Sequence, residues 1–88
     1  MLSNIKAHFV QIMQIPPEIA YRLPDIELYG NRKIFIENYR ALIHCTEHEI
    51  QLKLSDRSLR ICGDHLTICE YSKDSMTITG QIREVSFQ

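Results

Sequence analysis

The chain has 88 residues, so it is expected to form one domain with a modest hydrophobic core. Apolar residues make up 44% of it and the net charge is −1, a composition typical of a globular protein that argues against general attraction to nucleic acids or anionic membranes. The cysteines Cys45, Cys62 and Cys69 form no Cys-x-x-Cys pair and are odd in number, which argues against a disulfide framework and favours reduced thiols in the cytoplasm. No apolar leader follows Met1, so we expect no secretory signal.

The first segment, residues 2–13, is predicted to be an amphipathic helix because its apolar residues recur every three to four positions. The Pro16-Pro17 pair ends this helix, since the residue before a proline is displaced from the helical conformation. A short helical turn is predicted over residues 17–22. We therefore divide the chain into an N-terminal helix with a proline-rich turn, residues 1–24, and a β domain, residues 25–88, within one folding unit. The helix is expected to dock on the sheet.

From Asp25 onward the apolar residues alternate with a period of two, which predicts β-strands. Three segments share the pattern apolar, x, apolar, x, Gly and end at Gly30, Gly63 and Gly80, where glycine permits a tight turn or a bulge. Equivalent strands recur 16 or 17 residues apart, so the β part is predicted to be four tandem two-strand units. The predicted strands are 25–29, 33–38, 41–46, 49–54, 58–62, 65–71, 75–79 and 82–87, with turns at Gly30-Asn31, Ser55-Asp56, Gly63-Asp64 and Lys73-Asp74.

This spacing predicts a mainly β fold, an antiparallel meander of about eight short strands with a short N-terminal helix. A small β-solenoid is the alternative, because sequence periods this short also occur in stacked repeats. One face of the strands is apolar and forms the predicted core. Its members are Ile26, Leu28, Ile34, Ile36, Ile43, Cys45, Ile50, Leu52, Leu54, Leu59, Ile61, Leu66, Ile68, Met76, Ile78 and Ile82.

The opposite face of the strands is polar but carries several aromatic residues. Exposed aromatic side chains often mark a protein–protein interface. The other interpretation is that the N-terminal helix covers part of this face. The predicted interaction residues are Tyr29, Phe35, Tyr39 and Tyr71.

The densest group of metal-ligand residue types lies between positions 44 and 49, where His44 and His48 are the candidate ligands. On a helix these two histidines would share one face. Here the segment is predicted to be a strand end and a turn, with Cys45 pointing to the core and away from His44. We therefore expect a polar hairpin turn and no bound metal.

Catalysis is not expected either. Cys62 with His65, or Cys69 with His44, could form a thiolate–imidazole pair, but no flanking residues resemble a protease or transferase signature. The glycines form no phosphate-binding pattern and the basic residues are scattered, so we expect no cofactor, no small-molecule substrate and no nucleic-acid partner. A small metal-binding or nucleic-acid-binding adaptor remains the alternative class.

Several segments together resemble the YabP/YqfC family of sporulation proteins, and its YqfC-like members in particular. The specific parts of the resemblance are the proline-to-glycine segment and the Ile-x-Gly-x-Ile ending. Family members typically have a glycine in the turn where this chain has Ser55–Ser58. The resembling segments are Ile15–Ile19, Leu23–Gly30, Ile34–Tyr39, Leu59–Ile68 and Ile78–Phe87.

The resemblance implies a small non-enzymatic protein of endospore-forming bacteria, made in the mother cell. It implies a role in assembly of the spore envelope, either coat or cortex, and transfers no catalytic residue. We expect the protein in the mother-cell cytoplasm or at the forespore surface. The expected partners are other sporulation proteins, including a membrane protein of the same programme, and further copies of the chain in a homo-oligomer.

Overall fold

The computed structural model describes residues 23–88, and these residues form a single antiparallel β-sheet without a helix. The predicted helix at 2–13 and the predicted turn at 17–22 lie outside the described residues. The strand order in the sheet is β1-β2-β6-β5-β4-β3. The strands are β1 (Asp25–Tyr29), β2 (Lys33–Glu37), β3 (Ala41–Cys45), β4 (Glu49–Lys53), β5 (Ser58–Tyr71) and β6 (Ser75–Phe87).

The mainly β, antiparallel prediction is confirmed, but residues 23–88 form six strands rather than about eight. β1 to β4 lie where the alternation predicts them. The predicted strands 58–62 and 65–71 are a single strand, β5, which continues through Gly63-Asp64, where a turn was predicted. In the same way the predicted strands 75–79 and 82–87 are a single strand, β6, which continues through Gly80. The β5–β6 pairing shifts its register at three points, so bulges absorb the change of direction that we assigned to turns.

The strand order differs from a simple meander, in which each strand pairs with the next. β2 pairs with β6, not with β3. Residues 38–40 carry the chain from β2 to the opposite edge of the sheet, starting at Asn38, which has a φ of 67° and donates its N–H to the Asp74 carbonyl at 2.6 Å. Asparagine tolerates this left-handed conformation better than most residues. Every strand pair among the described residues is antiparallel, which does not fit a stacked parallel solenoid.

The two long strands divide the sheet into two halves. In the first half-sheet, β1 pairs with β2, and β2 pairs with residues 75–79 of β6, which pair with the last part of β5. In the second half-sheet, β3 pairs with β4, and β4 pairs with residues 58–62 of β5, which pair with the last part of β6. Residues from both halves belong to one hydrophobic cluster. The sheet is therefore rolled over a single core.

Two glycines mark the bend of the long hairpin. A Cβ atom at Gly63 would lie 2.0 Å from the backbone oxygen of Gln81, so only glycine allows the two strands to approach this closely. Gly80 has a φ of +142°, a conformation that L side chains rarely adopt. The glycine endings of the repeated pattern therefore have a physical role in bending the strands.

The turns of the two short hairpins dock on these bends in the same way. The carbonyls of Asn31 and Arg32 accept hydrogen bonds from the N–H groups of Ile82 (2.8 Å) and Gly80 (3.1 Å). The 46–48 turn repeats this arrangement on the bend of β5, where the N–H groups of Leu66 and Gly63 donate to carbonyls of that turn at 2.8 and 3.0 Å. The sequence period of 16 residues thus corresponds to two hairpins with equivalent docking.

The buried core agrees with the predicted apolar face except at the two edge strands. Leu28, Ile43 and Cys45 were predicted to be buried and are exposed. Within the described sheet β1 and β3 each have a neighbouring strand on one side only, and a register shift between Leu42 and His44 leaves Ile43 without a partner on β4. The buried hydrophobic residues are Ile34, Ile36, Tyr39, Ile50, Leu52, Leu54, Leu59, Ile61, Leu66, Met76, Ile78 and Ile82.

We expect Ile61→Asp to unfold the domain. Ile61 is fully buried in β5, so the variant would place an unpaired carboxylate in the core at a cost of about 4 kcal/mol or more, comparable to the whole stability of a small domain. Thr67→Asp, at an exposed position of the same strand, is the control. Thermal unfolding followed by circular dichroism checks this, and a normal melting transition for Ile61→Asp would contradict the burial of this side chain.

We expect Gly63→Ala to destabilise the fold by about 3 kcal/mol or more, because the added methyl group meets backbone rather than a movable side chain. Gly30→Ala is the matched comparison. Gly30 also has a positive φ, +60°, but nothing lies within 4 Å of its Cβ position, so that substitution should cost only about 1 kcal/mol. Urea unfolding measures the free energy of unfolding of the two variants. An equal decrease for both would show that the close approach of the strands at Gly63 does not matter for stability.

Candidate interaction surface

The structure separates the four predicted interaction residues into three environments. Tyr29 and Phe35 lie two positions apart on the paired strands β1 and β2, since Tyr29 is opposite Lys33 and Phe35 is opposite Glu27. Tyr71 is at the other side of the same half-sheet, at the end of β5. Tyr39 lies in the buried core.

Tyr29 is held on the surface by its neighbours. Its side chain is 51% exposed, its hydroxyl donates to Glu27 Oε1 at 2.9 Å, and the Lys33 ammonium lies 5.1 Å from the ring centre. The hydrogen bond to the Glu27 carboxylate, followed by the charge of that group, raises the pKa of Tyr29 above its usual range. Half-buried Phe35 lies beside this group on the same face. Together they form an ordered aromatic surface on β1 and β2.

Tyr39 does not lie on the exposed face where we predicted it. Only 7% of it is exposed, and its hydroxyl donates to the Ser72 carbonyl at 2.7 Å. Burial raises the pKa of the Tyr39 hydroxyl above its usual range. The physical reason for the change of side is the left-handed backbone of Asn38, which interrupts the strand alternation just before Tyr39.

Tyr71 borders a groove that the sequence analysis did not identify. Its side chain is 71% exposed, and the groove, with a volume of about 700 Å³, lies between the start of β3 and the end of β5. Both charged residues of its lining, Arg40 and Lys73, are cationic, and neither has a carboxylate within ion-pair distance among residues 23–88. The lining residues are Tyr39, Arg40, Ala41, Leu42, Ile68, Tyr71, Ser72 and Lys73.

The histidines of the candidate metal segment face different carboxylates. His44 Nε2 lies 3.5 Å from Glu49 Oε1, and His48 Nδ1 lies 3.5 Å from Asp64 Oδ1 on β5. Both carboxylates also bind an arginine: Arg60 donates to Glu49, and Arg83 donates to Asp64. Within the described part of the chain no group of three or more potential ligands is placed to hold a metal ion. The structure therefore distributes His44 and His48 over two polar networks.

The thiol–imidazole pairs considered from the sequence are not hydrogen-bonded in the described region. His65 Nδ1 lies 3.8 Å from Glu47 Oε1, and Cys69 Sγ lies 3.0 Å from Thr79 Oγ1. Cys45 and Cys69 are exposed and Cys62 is half-buried. Cys45 therefore lies on β3, and Cys62 and Cys69 lie seven residues apart on β5. In residues 23–88 we find no helix with the length and hydropathy needed to cross a bilayer.

These features define a small β protein whose sheet ends in two edge strands, β1 and β3, and carries aromatic side chains on its surface. The family model for the YabP family matches residues 22–88, and the chain belongs to this family. The chain is 29% identical to YqfC of Bacillus subtilis strain 168 over 85 residues, which cover 97% of this chain and 91% of that protein. No solved structure matches the chain. The YabP/YqfC family is associated with sporulation.

We expect Asp64→Asn to remove an acid-sensitive part of the stability. The hydrogen bond from Arg83 lowers the pKa of Asp64 below its usual value of 3.8, so this carboxylate stabilises the folded state above that pH and loses its effect as the pH falls through the lowered folded-state pKa. The variant should therefore be less stable than the wild type at pH 7, with a difference that shrinks as the pH falls below 3.8 toward the lowered folded-state pKa of Asp64.

Urea unfolding at several pH values measures this difference. Glu70→Gln, a neutralised carboxylate at an exposed position of the same strand, is the control. A destabilisation by Asp64→Asn that is the same at neutral and acidic pH would contradict the role of the Arg83 pair.

Proposed function

We propose that this chain is a non-enzymatic interaction protein of endospore formation that acts in assembly of the spore envelope, in the coat or the cortex. The observation that carries the proposal is membership of the YabP family over residues 22–88, which span the whole described sheet. The work of the protein is done in the mother cell, in its cytoplasm or at the forespore surface. Its partners are other sporulation proteins, including a membrane protein, and copies of itself.

The architecture supports a role in binding through its sheet edges and aromatic surface. β1 and β3 are the terminal strands, and an edge strand offers backbone N–H and C=O groups that can pair with a strand of another chain. Tyr29 and Phe35 lie on the first half-sheet and Tyr71 beside the groove, so the proposed aromatic contacts belong to two separate surfaces. Tyr39 is buried, and its hydroxyl donates a hydrogen bond to the Ser72 carbonyl, which joins two residues of the groove lining.

Deletion of the gene in its own spore-forming host tests the proposal. We expect a large drop in the yield of heat-resistant spores with normal vegetative growth, restored by a wild-type copy at another locus. The type of defect, seen by electron microscopy of the spore envelope, distinguishes coat from cortex. Spores of normal yield, resistance and envelope structure would contradict the proposed function.

We expect Tyr71→Ala to weaken self-association without a change in melting temperature. The ring of Tyr71 is 71% exposed, so its removal takes away contact area for a partner and little packing within the domain. Phe87→Ala removes another exposed aromatic side chain, at the end of β6, and should leave association unchanged. Light scattering of the three proteins measures the assembly, and an unchanged mass for Tyr71→Ala with unchanged melting would show that Tyr71 is not a contact.

A further inference from the structure

β3 differs from every other strand of the sheet in its exposure. All five of its residues are exposed, including Leu42 at 43% and Ile43 at 52%. The strand has a neighbour on one side, β4, and among residues 23–88 no strand pairs with its outer edge. An exposed edge strand with apolar side chains is a template for pairing with a further strand. β3 is therefore the strand of the described sheet best placed to pair with a further strand.

We infer that β3 is a dimer interface, in which the β3 strands of two copies pair antiparallel about a two-fold axis near Ile43. Such a pairing joins the two sheets into one and covers the apolar side chains of β3. Because the same patch serves both copies, the interface is self-complementary and closes at two subunits. This inference deepens the proposed assembly role by identifying a second copy of the chain as one of the partners.

The distribution of charge favours β3 over β1 for this self-pairing. An antiparallel pair formed about the middle of a strand places its central residue opposite its own copy. In β3 that residue is Ile43, and the strand contains no carboxylate, lysine or arginine. In β1 the central residue is Glu27, so two carboxylates would face each other, and like charges directly opposite destabilise a strand pair.

The residues that flank β3 are complementary in the same arrangement. Arg40 precedes the strand and Glu47 follows it, in the turn to β4. Antiparallel pairing brings the beginning of one strand to the end of the other, so Arg40 of each copy lies next to the turn that carries Glu47 in its partner. Arg40 has no carboxylate within ion-pair distance in the described part of its own chain. The dimer supplies two such carboxylates, one for each arginine.

The groove beside β3 adds apolar surface to the same region. Leu42 of β3 faces it together with Ile68 and the highly exposed Tyr71 of β5. A second copy paired with β3 therefore lies beside this groove and its apolar side chains. Continuous apolar surface next to a free edge is the combination that β-strand addition uses for affinity and for side-chain specificity.

Ile43→Glu tests the interface, with Leu28→Glu in the other edge strand, β1, as the matched control. Leu28 is 47% exposed and Ile43 is 52% exposed, so the two substitutions change similarly accessible side chains. Sedimentation across about 1–100 µM should give the wild type and Leu28→Glu a mass of twice the 10.3 kDa chain at the upper end, and Ile43→Glu the mass of one chain. A monomeric wild type, a dimeric Ile43→Glu or a monomeric Leu28→Glu would overturn the inference.

A charge exchange provides a test that does not depend on the fold of Ile43→Glu. Arg40→Glu and Glu47→Arg should each raise the dimer dissociation constant about tenfold, and the double variant should return to within about threefold of the wild type, because it restores opposite charges across the interface. Failure of the double variant to recover would overturn the antiparallel arrangement. A monomeric wild type in these measurements, combined with a spore defect on gene deletion, would reject the β3 dimer and self-association while leaving the proposed role in endospore formation standing.

Discussion

The close approach of β5 and β6 at Gly63 is the constraint on which the rest of the structure depends. The Cβ position of Gly63 lies 2.0 Å from the Gln81 carbonyl oxygen, and Gly80 takes a positive φ on the neighbouring strand. Together they bend a hairpin of 14- and 13-residue strands that would otherwise form a long ribbon. Because each half of the bent hairpin pairs with one short hairpin, the bend converts one sheet into two halves that enclose a common core.

The short hairpins stabilise the bend in return. Each of their turns offers carbonyl oxygens to N–H groups that the bulged strands expose, those of Gly80 and Ile82 in one case and Gly63 and Leu66 in the other. Buried N–H groups without an acceptor would destabilise the fold by about 1–3 kcal/mol each. The two docking sites differ in the spacing of their donors. Gly80 and Ile82 are two residues apart, whereas Gly63 and Leu66 are three apart, because the bend of β5 contains the extra residue His65, which has a φ of 55°.

The rolled sheet also determines which surfaces are available for binding. Rolling brings β2 and β6 together and leaves β1 and β3 as terminal strands, because the three residues after β2 cross to the opposite edge. The two edges are chemically different: β1 carries carboxylates, whereas β3 is uncharged apart from a histidine. One molecule therefore presents two edges with different chemical character.

The sequence by itself determined the local structure and the family. Alternation placed the first four strands to within one residue and predicted most of the core, since period-two burial and glycine turns depend on neighbouring residues only. The segments from the first prolines to the Ile-x-Gly-x-Ile ending were sufficient to indicate the YabP/YqfC family.

Only the tertiary structure decided how the strands pair and what the pairing exposes. Local patterns cannot distinguish the bulge at Gly63 from a turn, and they cannot show that β2 pairs with β6 rather than with β3. Both features depend on contacts between residues distant in the chain. Because alternation alone does not contain these distant contacts, it predicted Ile43 in the core and Tyr39 on the surface. Ile43 became exposed because its strand lies at the edge of the sheet, and Tyr39 became buried because Asn38 reversed the alternation just before it.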